Sequence, residues 1–340
     1  MTTAIIDIRS DTVTKPVPGM RRAMAEAEVG DDVLDGDPTT RRLEERTAEL
    51  LGTERALFFP TGTMANQSAI WALSSPGSEI FAHDDSHIVN WEMAGAAALA
   101  GVQVRLVTGG PRITRESFAR AVRPPSRDAA HTTLLCLENT HNGAGGMVTP
   151  VDELAALSAM GRDLGLNVFL DGARLWNASV ATGTPLAAFT ACADATMVSF
   201  SKGLGGPVGA ALAGRADVIE EAWMARKRFG GGMRQSGVLA AAALYGLEHH
   251  YDRLHEDHAN AARFAEIVGE APRARPVKPD TGIVMIDLIG TDSGTLASAA
   301  LARGVRVSVW TATRVRAVMH LDVTRAQVEH AAMVLRDLLS

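Results

Sequence analysis

Cysteine is almost missing: Cys136 and Cys192 are the only two in 340 residues. Two thiols cannot build a disulfide framework, and both lie in apolar runs (TTLLCL and FTACADA), which reads as buried free thiols. A surplus of positive charge is missing too. Lys and Arg number 33 against 39 Asp and Glu, a formal net charge of −6. Binding to a nucleic-acid backbone runs on clustered cations, so no such partner is expected. No apolar run approaches the ~20 residues of a membrane span. The opening MTTAIIDIRSDTV has neither the basic start nor the long apolar stretch of a signal peptide. A cytoplasmic protein without a membrane partner is the expectation. Aromatics are scarce at 5%, whereas glycines number 32 and alanine is abundant. Such a composition suits close helix–sheet packing. The 46% hydrophobic content excludes a disordered chain.

What is present is an alternation. Short apolar runs predict strands at 56–59, 79–82, 102–107, 134–137, 168–170, 195–200 and 208–213. Helical stretches at 64–73, 88–100 and 151–164 fall between them. Strand, helix, strand in repetition predicts an α/β fold with a mainly parallel sheet covered on both faces. One long helix is expected over 234–265. Pro272, Pro276 and Pro279 then mark a linker-like stretch. Strands at 283–288, 305–309 and 315–320, with helices at 293–302 and 325–339, predict a smaller α+β unit. We expect a large domain over 1–248, including the N-terminal segment, and a small one over 249–340.

Three segments place chemistry at strand ends. In FFPTGTMAN (58–66) a strand ends, Gly62 allows a turn and a helix begins. Free N–H groups and partial positive charge at a helix start suit a phosphate, and Thr63 adds a hydroxyl. The same residues also make a plain glycine turn with a threonine cap. In VFLDGAR (168–174) the strand ends in Asp171, with Arg174 close behind. Ligands of open α/β sheets sit at such ends, although an aspartate there can also cap the next helix. In SFSKGLGGP (199–207) Lys202 follows a strand and precedes a glycine-rich loop. A partly desolvated lysine loses its proton more easily and can form a Schiff base; an exposed lysine on a turn is the plain alternative. The loop lacks the Walker spacing of a nucleotide site. A phosphate seat, an aspartate and a lysine in this order form the layout of a pyridoxal-phosphate pocket. The aspartate pairs with the pyridinium nitrogen, the lysine carries the cofactor, and His87 (DDSHI) can stack on the ring.

Further segments sharpen this. IRSDTVTKP (8–16), VGDDV (29–33), TGTMAN (61–66), LENTHN (137–142), DGAR (171–174), SKGL (201–204), GGGMRQ (230–235) and HLDV (320–323) follow one another along the chain. Nearly end to end, the sequence resembles the L-threonine aldolases. These are fold-type-I, aspartate-aminotransferase-like enzymes of the aromatic β-eliminating-lyase superfamily.

The resemblance implies pyridoxal 5'-phosphate as cofactor and no metal. It implies Lys202 as the Schiff-base lysine, Asp171 as the pyridinium partner and His87 as the stacking ring. Gly62, Thr63 and Arg234 would contact the phosphate, Arg234 from a neighbouring subunit of a dimer or tetramer. Ser10, Arg174 and Arg316 would grip the substrate carboxylate, with Arg174 also beside the cofactor. A bidentate Arg fork suits a carboxylate. The implied reaction cleaves threonine, allo-threonine or a related β-hydroxy-α-amino acid to glycine and an aldehyde. A β-eliminating lyase is the alternative on the same fold. A catalytically inert cofactor-binding homologue is another, against which Lys202 and Asp171 together argue.

The sequence departs from the family pattern at the side-chain end of the substrate. Leu34 stands where relatives carry a tyrosine near the pocket. Asp128 falls, in an ungapped reading, where relatives often carry a histidine near the substrate hydroxyl; His131 follows three residues later. Asn90 or a neighbour replaces an aromatic. An altered side-chain preference is expected. The base for the β-hydroxyl stays open among His87, His131, Asp128 and a phosphate-bound water.

Overall fold

The computed structural model describes residues 5–340. Seven strands form the large sheet: β1 (Arg55–Phe59), β2 (Glu79–His83), β3 (Gln103–Val107), β4 (Thr132–Glu138), β5 (Asn167–Gly172), β6 (Ala195–Ser199) and β7 (Ala210–Gly214). Their spatial order is β1-β7-β6-β5-β4-β2-β3. Six run the same way, and β7 runs against both its neighbours. The central strands are buried on both faces. That is why they appear in the sequence as unbroken apolar runs. Side chains alternate between two cores. Phe58, Leu135, Leu170 and Phe200 belong to one; Leu57, Phe59, Phe169 and Met197 belong to the other.

A second, antiparallel sheet is made of β8 (Ala274–Pro276), β9 (Ile283–Leu288), β10 (Ser308–Thr311) and β11 (Arg314–Val318), in the order β10-β11-β9-β8. Its core takes in Phe264, Ile286, Val315 and Leu335, and also Ile6 and Ile8. Residues Ile6–Asp7 pair in parallel with Val305–Arg306, and Val318 donates its N–H to Ile8 O at 2.8 Å. The N-terminal segment is thus strapped onto the C-terminal sheet. Ser10 and Asp11 follow directly and are carried to the large sheet, where Asp11 meets Arg174.

Three expected elements are broken. The helix expected over 88–100 is two short ones, His87–Asn90 and Gly95–Ala100. Between them Met93 and Ala94 take left-handed backbone angles, φ 54° and 56°. The break turns Glu92 inward, where its carboxylate meets His87. The helix expected over 234–265 is Gly237–His249 and Leu254–Val268; at the break His250 Nδ1 bonds Leu204 O at 2.8 Å. The strand expected over 305–309 is split between the N-terminal strap and β10.

The left-handed pair carries a cost. An L-residue there is about 1–2 kcal/mol less favourable than glycine, and Ala94 is exposed, with little packing to offset it. Ala94→Gly is expected to raise stability by about 0.5–1 kcal/mol, net of the glycine's extra unfolded-state entropy. An upward shift of the chemical denaturation midpoint checks it; an unchanged or lower midpoint contradicts it.

Candidate active site

The parallel strands β4 and β5 end side by side, with Glu138 and Asp171 as register partners. Lys202 lies just beyond the end of β6. Around these strand ends lies a cavity of about 510 Å³. Of the residues expected from the sequence, Ser10, His87, Asp171, Arg174, Lys202 and Arg316 all line it. Trp91, Glu138, Asn142, Val309 and Trp310 join them.

Asp171 is buried and fixed from two sides. Its Oδ2 accepts from Asn66 Nδ2 at 2.8 Å, and its Oδ1 accepts from the Ala173 N–H at 3.1 Å. Asn66 stands one turn into the Gly62–Leu73 helix, so that helix start abuts the site. Gly62 and Thr63 sit on its first turn, outside the cavity lining, and the capping hydroxyl is that of Thr61, which accepts from the Met64 N–H. Lys202 reaches the cavity from a largely desolvated position. Burial first, and the charge of Arg174 second, bring its pKa down to about 8, against the pull of Asp171, Asp11 and Glu138.

His87 rests on a buried network. Its Nδ1 donates to Glu92 Oε1 at 2.7 Å. Glu92 also accepts from Asn66 at 2.7 Å and from Gln67 at 2.6 Å. Burial alone would lower the His87 pKa, but the Glu92 hydrogen bond and the negative charge of Asp171 outweigh it and raise it. Donor atoms of His87, Glu92 and Asp171 lie within 4.8 Å of one another. The Asn66 amide donates into the middle of this group, which marks a hydrogen-bond network and not a cation's ligand set. Glu138 accepts from the His87 N–H and the Asn142 N–H, both at 2.8 Å. Burial, then the charge of Asp171, push its carboxyl up to about 7.

On the other side stand the arginines. Arg174 donates Nε and Nη2 to Asp11, both at 2.7 Å. Burial would push Asp11 up; the Arg174 charge and hydrogen bonds hold it far below the usual carboxylate range. Arg316 lies over the Trp310 ring at 4.8 Å. Burial and the charge of Arg174 lower it to about 10. The Trp91 and Trp310 rings, both lining the cavity, have their centroids 5.6 Å apart.

Besides Gly62 and Thr63, four more expected residues are absent from the cavity lining. Arg234 is exposed and pairs with Asp31 at 3.2 Å. Leu34, in the same region, is 75% exposed. Asp128 and His131 precede the first residue of β4, whereas Glu138 is its last. Six residue steps along the strand separate those ends by ~20 Å. His131 lines a separate cavity with Arg123 and Pro124, and Asp128 is exposed. Counting back along the sequence brought them near the motif; the strand's direction carries them to its far end. The sequence reading does not single out Glu92, Asn66, Asp11, Glu138 or Asn142. Asp11, Asn66, Glu138 and Asn142 lie inside the quoted motifs, so position in a motif was the available signal. Glu92 gives none, because the sequence places it within a helix expected over 88–100.

With this geometry in view, the comparisons agree. Residues 7–291 match the family model described as beta-eliminating lyase. The low specificity L-threonine aldolase of Escherichia coli is 40% identical over 330 residues, covering 96% of this chain and 97% of that protein. Among solved structures, the threonine aldolase of Leishmania major superposes with a TM-score of 0.83 at 20% identity, covering 98% of this chain and 100% of that one. SPT solved with PLP superposes at 0.75 and 20% identity, over 98% of this chain and 87% of that one. The fold and site define a lyase of the fold-type-I class. The chain belongs to the beta-eliminating lyase family, in its threonine aldolase branch. Among the described residues no helix is long and apolar enough to cross a membrane.

Proposed function

We propose that this protein binds pyridoxal phosphate and cleaves the Cα–Cβ bond of L-threonine, L-allo-threonine or a related β-hydroxy-α-amino acid to glycine and an aldehyde. The carrying observation is the union of Lys202, Asp171, His87, Arg174 and Arg316 in one cavity. The residues present fit the cofactor: a desolvated lysine of lowered pKa, a buried aspartate fixed by two donors, and a helix start beside them. Lys202 would hold its aldehyde carbon, Asp171 its ring nitrogen, His87 its ring face, and Gly62 and Thr63 its phosphate. Bound there, it supplies a sink for the electrons of the breaking bond.

The chain's own groups direct that bond. Ser10 and Arg316, with Arg174 beside them, fix the substrate carboxylate, and a fixed carboxylate sets which bond at Cα stands perpendicular to the ring. The apolar wall of Trp91, Val309 and Trp310 is where the substrate side chain has room. A base must take the β-hydroxyl proton. Asp128 and His131 stand at the far end of β4 within this chain, which leaves His87, oriented by Glu92, as the histidine within the cavity.

The same reading includes a cytoplasmic homo-oligomer, dimer or tetramer, with Arg234 serving a neighbour's phosphate. The absence of Arg234 from the lining of its own cavity and its exposure support this. It also includes the division of the chain at 248/249, which the separate core of the second sheet supports from Ala261 onward, whereas Ile6 and Ile8 of the N-terminal segment belong to that core and not to the large domain's.

L-Serine is the discriminating probe, since both lyase routes are open to it. Glycine with formaldehyde is expected; pyruvate with ammonia would mean β-elimination instead. No product and no change in cofactor absorbance would mean an inert homologue.

A further inference from the structure

The protein uses the two cavity arginines differently. Arg174 commits its Nε–Nη2 edge to Asp11. The same edge of Arg316 meets no carboxylate: Nε is buried without a partner, and Nη2 makes only a 3.3 Å contact with the Arg9 carbonyl. The remaining Nη1 groups of both arginines converge on one atom. Asn142 Oδ1 accepts from Arg174 Nη1 at 3.2 Å and from Arg316 Nη1 at 3.0 Å. Two cationic donors require the carbonyl end of the amide at that point, so the orientation of the amide is fixed by chemistry. Asn142 is itself anchored. Its N–H donates to Glu138 Oε1, and the other oxygen of Glu138 takes the N–H of His87.

We infer that Asn142 is a positioning residue for the substrate carboxylate. It ties the two guanidinium groups together through one N–H each and leaves the Nε–Nη2 edge of Arg316 as the two-donor edge that no carboxylate of the chain occupies. This rests on the proposed reading of the cavity as an amino-acid site. The side chain has to be neutral. Arg174, Asp11 and Arg316 together carry one net positive charge, and a neutral acceptor satisfies two donors without cancelling it. An aspartate at 142 would hold the same place and shape, but it would bring that charge to zero and compete with the substrate's own carboxylate for the arginines. Through Glu138, the brace also joins the clamp to the backbone that presents His87.

The test uses the cofactor-loaded enzyme with Asn142→Asp and Asn142→Ala. Glycine is titrated and followed by cofactor absorbance, which needs no turnover. KM and kcat for L-threonine and the melting temperature are measured alongside. For Asn142→Asp the glycine Kd and the KM are expected to rise roughly 10- to 100-fold, the worth of a charge-assisted hydrogen bond. The kcat should change less than about threefold. Asn142→Ala should show a smaller rise in the same two quantities. If Asn142→Asp does not fold, Asn142→Ala decides on the same Kd. A glycine Kd within about twofold of wild type in the folded variants would overturn the inference. So would a fall in kcat and melting temperature with Kd unchanged, since that is the mark of a structural brace alone. A wild type that binds glycine but does not cleave threonine would defeat the proposed reaction and leave Asn142 to be judged on Kd.

Discussion

Lys202→Ala is expected to lower kcat by roughly three orders of magnitude or more and to remove the cofactor's protein-bound absorbance. Lys202 is the lysine of the cavity, and among the described residues no other that lines it offers a primary amine. The backbone around it is set by other contacts. The Gly205 N–H bonds Lys202 O, and the Gly206 N–H bonds Phe200 O. The variant should therefore fold, and its melting temperature should stay near that of the wild-type apoprotein. The same lysine predicts a pH dependence. Only the neutral amine attacks the cofactor's aldehyde. With a pKa of about 8, the neutral fraction rises about tenfold per pH unit below that value and levels off above it. The rate of cofactor loading into apoprotein should follow that curve. A rate that climbs steadily through pH 10 would show an ordinary, solvated lysine. A variant that still turns threonine over at near wild-type rate would remove Lys202 from the chemistry.

Asp171→Asn is the second large effect. The carboxylate lies buried, with one oxygen on Asn66 and the other on the Ala173 N–H. A cofactor ring nitrogen facing it keeps its proton only while the negative charge is there. Removing one partner of a buried charge pair costs about 3–5 kcal/mol, which corresponds to roughly two to three and a half powers of ten in rate. Asparagine nearly preserves the shape and can still accept from Ala173. The fold should survive, and cofactor should still load onto Lys202. The expected result is a coloured, folded protein with kcat down by that factor and KM little changed. A kcat within about tenfold of wild type would mean that the ring nitrogen does not depend on Asp171.

Much of the fold is legible because the central strands are buried on both faces. Leu134–Leu137 and Val168–Leu170 appear as unbroken apolar runs for that reason. The element at Ser293–Ala302 matches its expected bounds, since Asp292 caps its start and glycine follows its end. The breaks were not legible. Nothing local announces that Glu92 must turn inward, because the reason is His87 and Asn66 on other elements. Nor does IID at the N-terminus show that it will pair with Val305–Arg306. The site divides in the same way. Asp171 and Lys202 could be read from strand ends, and the arginines from the family resemblance. Glu92 could not, because it acts by holding another residue; Glu138 and Asn142 stand inside the LENTHN motif, but nothing local shows which residues they hold. Asp128 and His131 came forward by counting along a motif, and the direction of β4 sets them apart from the cavity.

The most direct measurement is the product balance from L-threonine. Purified, cofactor-loaded protein is incubated with the amino acid, and glycine, acetaldehyde and 2-oxobutyrate are quantified in one sample, with Lys202→Ala in parallel. Glycine and acetaldehyde in equal amounts, no 2-oxobutyrate, and nothing above background from the variant are the predicted result. Formation of 2-oxobutyrate without glycine would contradict it: the cavity would then break the bond to the hydroxyl and not the bond between the carbons.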